Sequence, residues 1–119
     1  MRKDDLVRLR HMLDAAKEAI GFVQNRTRSA LEGDRMLVLS IVKSIEILGE
    51  AATRVTKECH NEFPQIPWRN IIAMRNRLIH AYFDIDLDRV WDTVTDDLPP
   101  LVQELERILG SAENQPSLA

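Results

Sequence analysis

From Arg35 to Cys59 no proline interrupts the chain, and the apolar residues recur at helical spacing on two sides. One stripe is Leu37, Ile41, Leu48, Ala51 and Val55; the other is Val38, Val42, Ile45 and Ala52. A helix that is apolar on two sides must be packed on both. The segment therefore predicts the central helix of an all-helical fold, a candidate for both the core and a subunit interface. Gly49 lies in its interior, where glycine costs about 1 kcal/mol relative to alanine. Its place there predicts a close approach by a neighbouring helix.

The remaining chain reads as helices too, with only 4 Gly and 5 Pro and no clear two-residue alternation. Asp4 or Asp5 can cap a first helix reaching about Arg26, with Leu6, Leu9, Leu13, Ala16 and Ile20 on its apolar face. Residues 28–34 form a loop, in which Gly33 breaks and Asp34 caps the central helix. Residues 60–68 form a second loop, and Pro67 suits the start of a third helix from Trp68 to about Ala81. Asp86 can cap a fourth helix over about 87–97, and Pro99 and Pro100 kink it or start a fifth over about 100–109. The expected fold class is all-α, a four- to five-helix up-and-down bundle. Residues 1–110 are expected to form its single domain, with 111–119 as a disordered tail.

A chain of 119 residues can bury a core without staples. Its single cysteine, Cys59, excludes an internal disulfide framework and suits a reducing, cytoplasmic setting. The opening MRKDDLVRLR does not resemble a signal peptide, and no apolar run is long enough to cross a membrane. The net charge of −3 argues against binding nucleic acid over the whole surface. One window is locally basic: Pro64 to Phe83 holds Arg69, Arg75 and Arg77 and no acid. Residues 84–97 then carry Asp84, Asp86, Asp88, Asp92, Asp96 and Asp97 against Arg89. That acidic run reads as a solvated face or as a docking surface for a basic partner.

Within the basic window, RNRLIHAYF (75–83) concentrates polar chemistry between apolar residues. If the third helix is continuous, Asn76 and His80 share a face, and Arg75 aligns with Tyr82. Two readings of this segment stand. In one, Arg75 pairs with Glu46 or Glu50 of the central helix, and His80 and Tyr82 are structural. In the other, the segment is an active site. Trp68 and Trp91 sit beside apolar helical positions and read as core or interface anchors. No metal-ligand constellation is apparent, because His11, His60 and His80 are scattered and Cys59–His60 alone lacks ligand spacing.

Three stretches in order, IEILGEAA (45–52), FPQIPWRNIIAMRNRLIHAYF (63–83) and IDLDRVWDTVTDDLPPL (85–101), resemble the HepT-like branch of the HEPN superfamily. That branch is the toxin half of type VII HepT–MntA toxin–antitoxin pairs. The resemblance covers roughly residues 4–109. The family pattern R-x-x-x-x-H-x-Y, with a polar residue after the arginine, is intact as Arg75, Asn76, His80 and Tyr82. It implies an all-helical homodimer that cleaves RNA, tRNA or mRNA, without a metal or other cofactor. It also implies a partner, an MntA-like nucleotidyltransferase, that silences the toxin by transferring AMP to Tyr82.

The residue types suit that chemistry. Metal-free cleavage uses the RNA's own 2′-OH as nucleophile and needs a base, an acid and a cation. Histidine can move protons near neutral pH, and arginine matches phosphate geometry with paired donors. His80, Arg75 and Asn76 are thus the candidate catalytic residues. Asn76 would orient the histidine or the phosphate. Arg77 and Arg69 are candidate substrate-binding residues, and Glu50 and Glu46 candidate supports, with Glu50 bracing Arg75 or His80. Each chain offers one well-placed histidine, so the expectation is a composite cleft at a two-fold axis. The competing function is a non-catalytic dimeric module that binds a nucleotidyltransferase or a nucleotide. DNA binding is not expected, for want of a helix-turn-helix signature.

Overall fold

A computed structural model describes residues 1–81 and 83–114. The order of elements is α1 (Lys3–Phe22), α2 (Ala30–Gly33), α3 (Arg35–Arg54), α4 (Lys57–Glu62), α5 (Trp68–Leu78), β1 (Ile79–Ala81), β2 (Asp84–Ile85), α6 (Leu87–Asp92), a π-helical turn (Thr93–Asp97) and α7 (Leu98–Asn114). The fold is all-α, as expected, apart from one short hairpin. The expected disordered segment 111–119 begins inside α7, which continues to Asn114, and residues 115–119 lie outside the described ones.

Helix α3 is the centre. It packs against α1 on one side and α5 on another, and α7 packs against α1. Both apolar stripes are buried within this one chain, including Ile41, Ile45, Leu48 and Ala52. Neither stripe is therefore left for a subunit interface. A third set of α3 residues, Met36, Leu39 and Ile47, is exposed instead. Asp34 caps α3 as expected, accepting a hydrogen bond from the Leu37 backbone N–H at 3.0 Å. Gly49 faces α5 as expected. A Cβ there would lie 3.3 Å from the Ile71 carbonyl oxygen and 3.7 Å from that of Ile72.

Element ends differ from the sequence reading for local reasons. Helix α1 stops at Phe22, and Asn25 then takes a φ of 60°, a left-handed conformation that asparagine tolerates. Asp4 and Asp5 lie inside the first turn of α1 rather than capping it. Asp5 is buried, and its carboxylate accepts from the Thr56 N–H at 2.9 Å and the Thr56 hydroxyl at 2.6 Å. That tie divides the expected 35–59 helix. Val55 turns extended, and Thr56 caps α4 by accepting from the Cys59 N–H.

The third helix ends at Leu78 rather than Ala81. Ile79 turns extended, and Ile79–Ala81 pairs antiparallel with Asp84–Ile85, bringing Ile79 opposite Ile85. The Asp86 N–H donates to the Leu78 carbonyl at 2.8 Å and closes the hairpin onto the helix end. Beyond α6, Pro99 and Pro100 fall in the first turn of a further helix, α7, as one of the two expected outcomes has it; that helix begins at Leu98 and runs to Asn114 rather than over about 100–109. Each proline lacks an N–H, and each ring would crowd the carbonyl four residues back. A π turn relieves this: the Leu98 N–H reaches the Thr93 carbonyl, five residues back, and α7 continues from there. No helix among the described residues is long and apolar enough to cross a membrane.

Candidate active site

Helix α5 carries four of the eight candidate residues, Arg69, Arg75, Asn76 and Arg77, and distributes them over two sides. Arg75 and Arg77 are two positions apart, about 200° around a helix. Arg75 faces α3. Its Nε donates to Glu46 Oε1 at 2.9 Å, and one terminal nitrogen lies 3.4 Å from Asn76 Oδ1. Lys43 approaches the other Glu46 oxygen at 4.0 Å. The Arg75 side chain remains 49% exposed. It lines an open cavity of about 330 Å³ with Glu46, Gly49, Glu50 and Ile72. The close approach that Gly49 permits is what lets an α3 carboxylate reach an α5 guanidinium.

His80 is not on the helix. It lies in β1, so the shared helical face with Asn76 does not exist; Asn76 is turned to Arg75 instead. The imidazole is exposed, and its Nε2 lies 3.9 Å from Asp86 Oδ2. That is an ion-pair distance and too long for a hydrogen bond. Asp86 uses its other oxygen to cap α6, accepting from the Arg89 N–H at 3.0 Å. One carboxylate is thus held by a helix end and faces the histidine. Sequence reading gave Asp86 only its capping role. The reversal of the chain at the hairpin gives it the second.

Arg77 emerges on the far side of α5 and donates to Asn70 Oδ1 at 3.2 Å. It belongs to a different cavity, against α6 and α7. Arg69 is in the first turn of α5, about 14 Å along the axis from its other end, and is not brought to His80. Glu50 pairs with Arg54 at 3.1 Å, not with Arg75 or His80, which corrects its expected bracing role. Tyr82 lies outside the described residues. The next residue, Phe83, is 85% exposed at the hairpin turn.

Other titratable groups are occupied elsewhere. The His60 ring stacks on Trp68 at 4.2 Å, and its Nε2 lies 3.0 Å from the Ala52 carbonyl oxygen. Trp68 is buried and donates to the His60 and Phe63 carbonyls, so it anchors the α4–α5 connection. Trp91 is half-buried against the core. Burial, aided by the charges of Asp5 and Glu62, pushes the Cys59 thiol up to about 11. It is therefore protonated at neutral pH and unsuited to nucleophilic work. Among the described residues, no group of three or more His, Cys, Asp or Glu side chains is placed to hold a metal ion.

Asp84, Asp88, Asp92, Asp96 and Asp97 are exposed, as a solvated face requires, and several acids of the run also have neighbours. Asp88 pairs with Arg28 at 2.7 Å, Asp86 faces His80, and Asp96 and Asp97 line the cavity beside Arg77.

Comparison with known proteins places the chain in a family. Residues 12–108 match the family described as "Ribonuclease HepT-like". A Methanocaldococcus jannaschii protein named "Putative RNase MJ0127" is 30% identical over 96% of this chain and 94% of its own length. The "Probable ribonuclease HepT" of Thermococcus cleftensis is 33% identical over 81% of this chain and 91% of its own. The "Putative RNase TTE0752" of Caldanaerobacter subterraneus is 32% identical over 85% and 90% respectively. No solved structure matches the chain significantly. On the extent of these matches the chain belongs to the HepT-like ribonuclease family.

Proposed function

We propose that this ribonuclease is the toxin of a type VII pair, a metal-independent endoribonuclease acting on tRNA or mRNA through Arg75 and His80. The observation that supports it is an exposed guanidinium, held by Glu46, five positions before an exposed imidazole faced by Asp86. The RNA 2′-OH attacks the adjacent phosphorus. His80 takes that proton or delivers one to the departing 5′-oxygen, and the Arg75 guanidinium meets the negative charge that builds on the phosphorane. Asn76 orients Arg75 through its Oδ1. Arg69 contacts the phosphate backbone further along the strand, and Arg77 meets the substrate from the far side of α5.

One candidate catalytic histidine per chain leaves either the base or the acid unfilled, and a second copy supplies it. The exposed Met36, Leu39 and Ile47 of α3 and Ile72 of α5 give a homodimer an apolar face. That face lies on the same two helices that present Arg75, so a two-fold axis there draws two sites together. The partner in the cytoplasm is an MntA-like nucleotidyltransferase. It transfers AMP from ATP to Tyr82, two positions after His80 in the sequence, adding bulk and a negative charge that repels RNA phosphate.

Intact mass after incubation with that nucleotidyltransferase and ATP tests the switch. Wild type should gain AMP units and lose RNA cleavage, while Tyr82→Phe should gain none. The same preparations should sediment as dimers. Unmodified wild type that neither gains mass nor cleaves RNA would favour the alternative, a non-catalytic module.

A further inference from the structure

The cavity on the far side of α5 has no part in the chemistry assigned to Arg75 and His80. It encloses about 330 Å³ between α5, α6, the π turn and the start of α7. That is at the small end of ligand sites, sized for one nucleobase rather than a dinucleotide. Its walls include the buried side chains of Met74 and Leu101. Its polar groups come from opposite sides in sequence: Arg77 and Arg89 supply donors, and Asp96 and Asp97 supply acceptors.

These charges line one space without closing on each other. Among the described residues, no ion pair links Arg77 or Arg89 to Asp96 or Asp97. Arg77 uses one nitrogen on Asn70. Arg89 bonds Asp86 through its backbone N–H, and its guanidinium has no partner among the described residues. The two aspartates belong to the π turn, whose extra residue per turn follows from Pro99 and Pro100. Such turns often sit at functional sites.

A ligand for this cavity must be flat, apolar on its faces, donor-rich on one edge and acceptor-rich on another. Guanine has that pattern. Its N1–H and N2–H are adjacent and match the two oxygens of one carboxylate. Its O6 and N7 match the paired donors of an arginine. Adenine and cytosine each place a ring nitrogen acceptor beside their single amino donor, which opposes a carboxylate. Uracil places its one N–H between two carbonyls. Arg77 is three residues from His80, at most about 11 Å of chain, so a base in the cavity lies within a nucleotide or two of the reacting phosphate.

We propose that this cavity receives an unpaired guanine of the RNA substrate, read by Asp96 or Asp97 on one edge and by Arg77 and Arg89 on the other. The inference rests on RNA being the substrate. Its test does not require cleavage. NMR titration of the wild-type chain with GMP, IMP, AMP, CMP and UMP gives the five affinities directly.

GMP should bind most tightly, about tenfold better than UMP. IMP, which lacks the N2 amino group, should fall several-fold below GMP. The doubly substituted Asp96→Asn, Asp97→Asn chain alters exposed side chains only and should lose the preference while keeping its fold by circular dichroism. Equal binding of all five nucleotides, or none at millimolar concentration, would overturn the pocket even if RNA is cleaved. GMP preference without any RNA cleavage would keep the pocket and remove the ribonuclease reading.

Discussion

Asp86 holds two jobs at the site with its two oxygens. One caps α6 and the other faces His80. The roles separate by substitution, because asparagine is as good a helix cap as aspartate. Asp86→Asn should therefore keep the fold and lower kcat for RNA cleavage about tenfold to a hundredfold, with KM little changed. Asp86→Ala should do the same and also cost about 1 kcal/mol of stability through the lost cap. An unchanged kcat in Asp86→Asn would show that the carboxylate does not orient the histidine. The candidates Arg75, Asn76 and His80 were legible in RNRLIH because the spacing is a family pattern. Asp86 as the histidine's neighbour was not, since six positions on a continuous helix would not bring the two together; the hairpin does. The opposite sides of Arg75 and Arg77 were legible in the 200° between them, and basic charge alone obscured it.

The α3–α5 crossing sets how far the Glu46 carboxylate must reach to hold Arg75. A side chain at position 49 would meet backbone, not a yielding side chain, with the Ile71 carbonyl 3.3 Å from the first added carbon. Gly49→Val should lower stability by about 1–3 kcal/mol, the usual cost of overpacking. It should weaken RNA cleavage as well, by parting Glu46 from Arg75. Chemical denaturation and a cleavage assay on the same variant check both, and wild-type stability would contradict the close crossing. Elements announced by local signals were readable: Asp34 and Asp86 as caps, Gly49 as a contact point. Elements set by distant partners were not. Asp5 and Thr56 are 51 positions apart, and only the folded chain shows why the helix stops at Arg54. The π turn belongs to the same class, because adjacent prolines permit a kink, a new helix or a widened turn.

At the scale of the molecule, the all-α class followed from spacing on two sides of the central helix together with few glycines and prolines. The proposed interface did not, because both of those stripes are consumed by the chain's own α1, α5 and neighbouring elements, and the exposed set lies elsewhere on α3. A net charge of −3 is compatible with the proposed site, because Arg69, Arg75 and Arg77 lie on one helix while Asp88 pairs with Arg28, Asp86 faces His80, and Asp96 and Asp97 line the cavity beside Arg77. The central claim is that Arg75 and His80 cleave RNA with the RNA's own 2′-OH. The most direct measurement is the end groups of RNA fragments made in EDTA by wild type, Arg75→Ala and His80→Ala. The account predicts 5′-hydroxyl and 2′,3′-cyclic phosphate ends from wild type, and rates at least a hundredfold lower from either variant. Fragments with 5′-phosphate and 3′-hydroxyl ends, loss of wild-type cleavage in EDTA, or full activity in His80→Ala would contradict it.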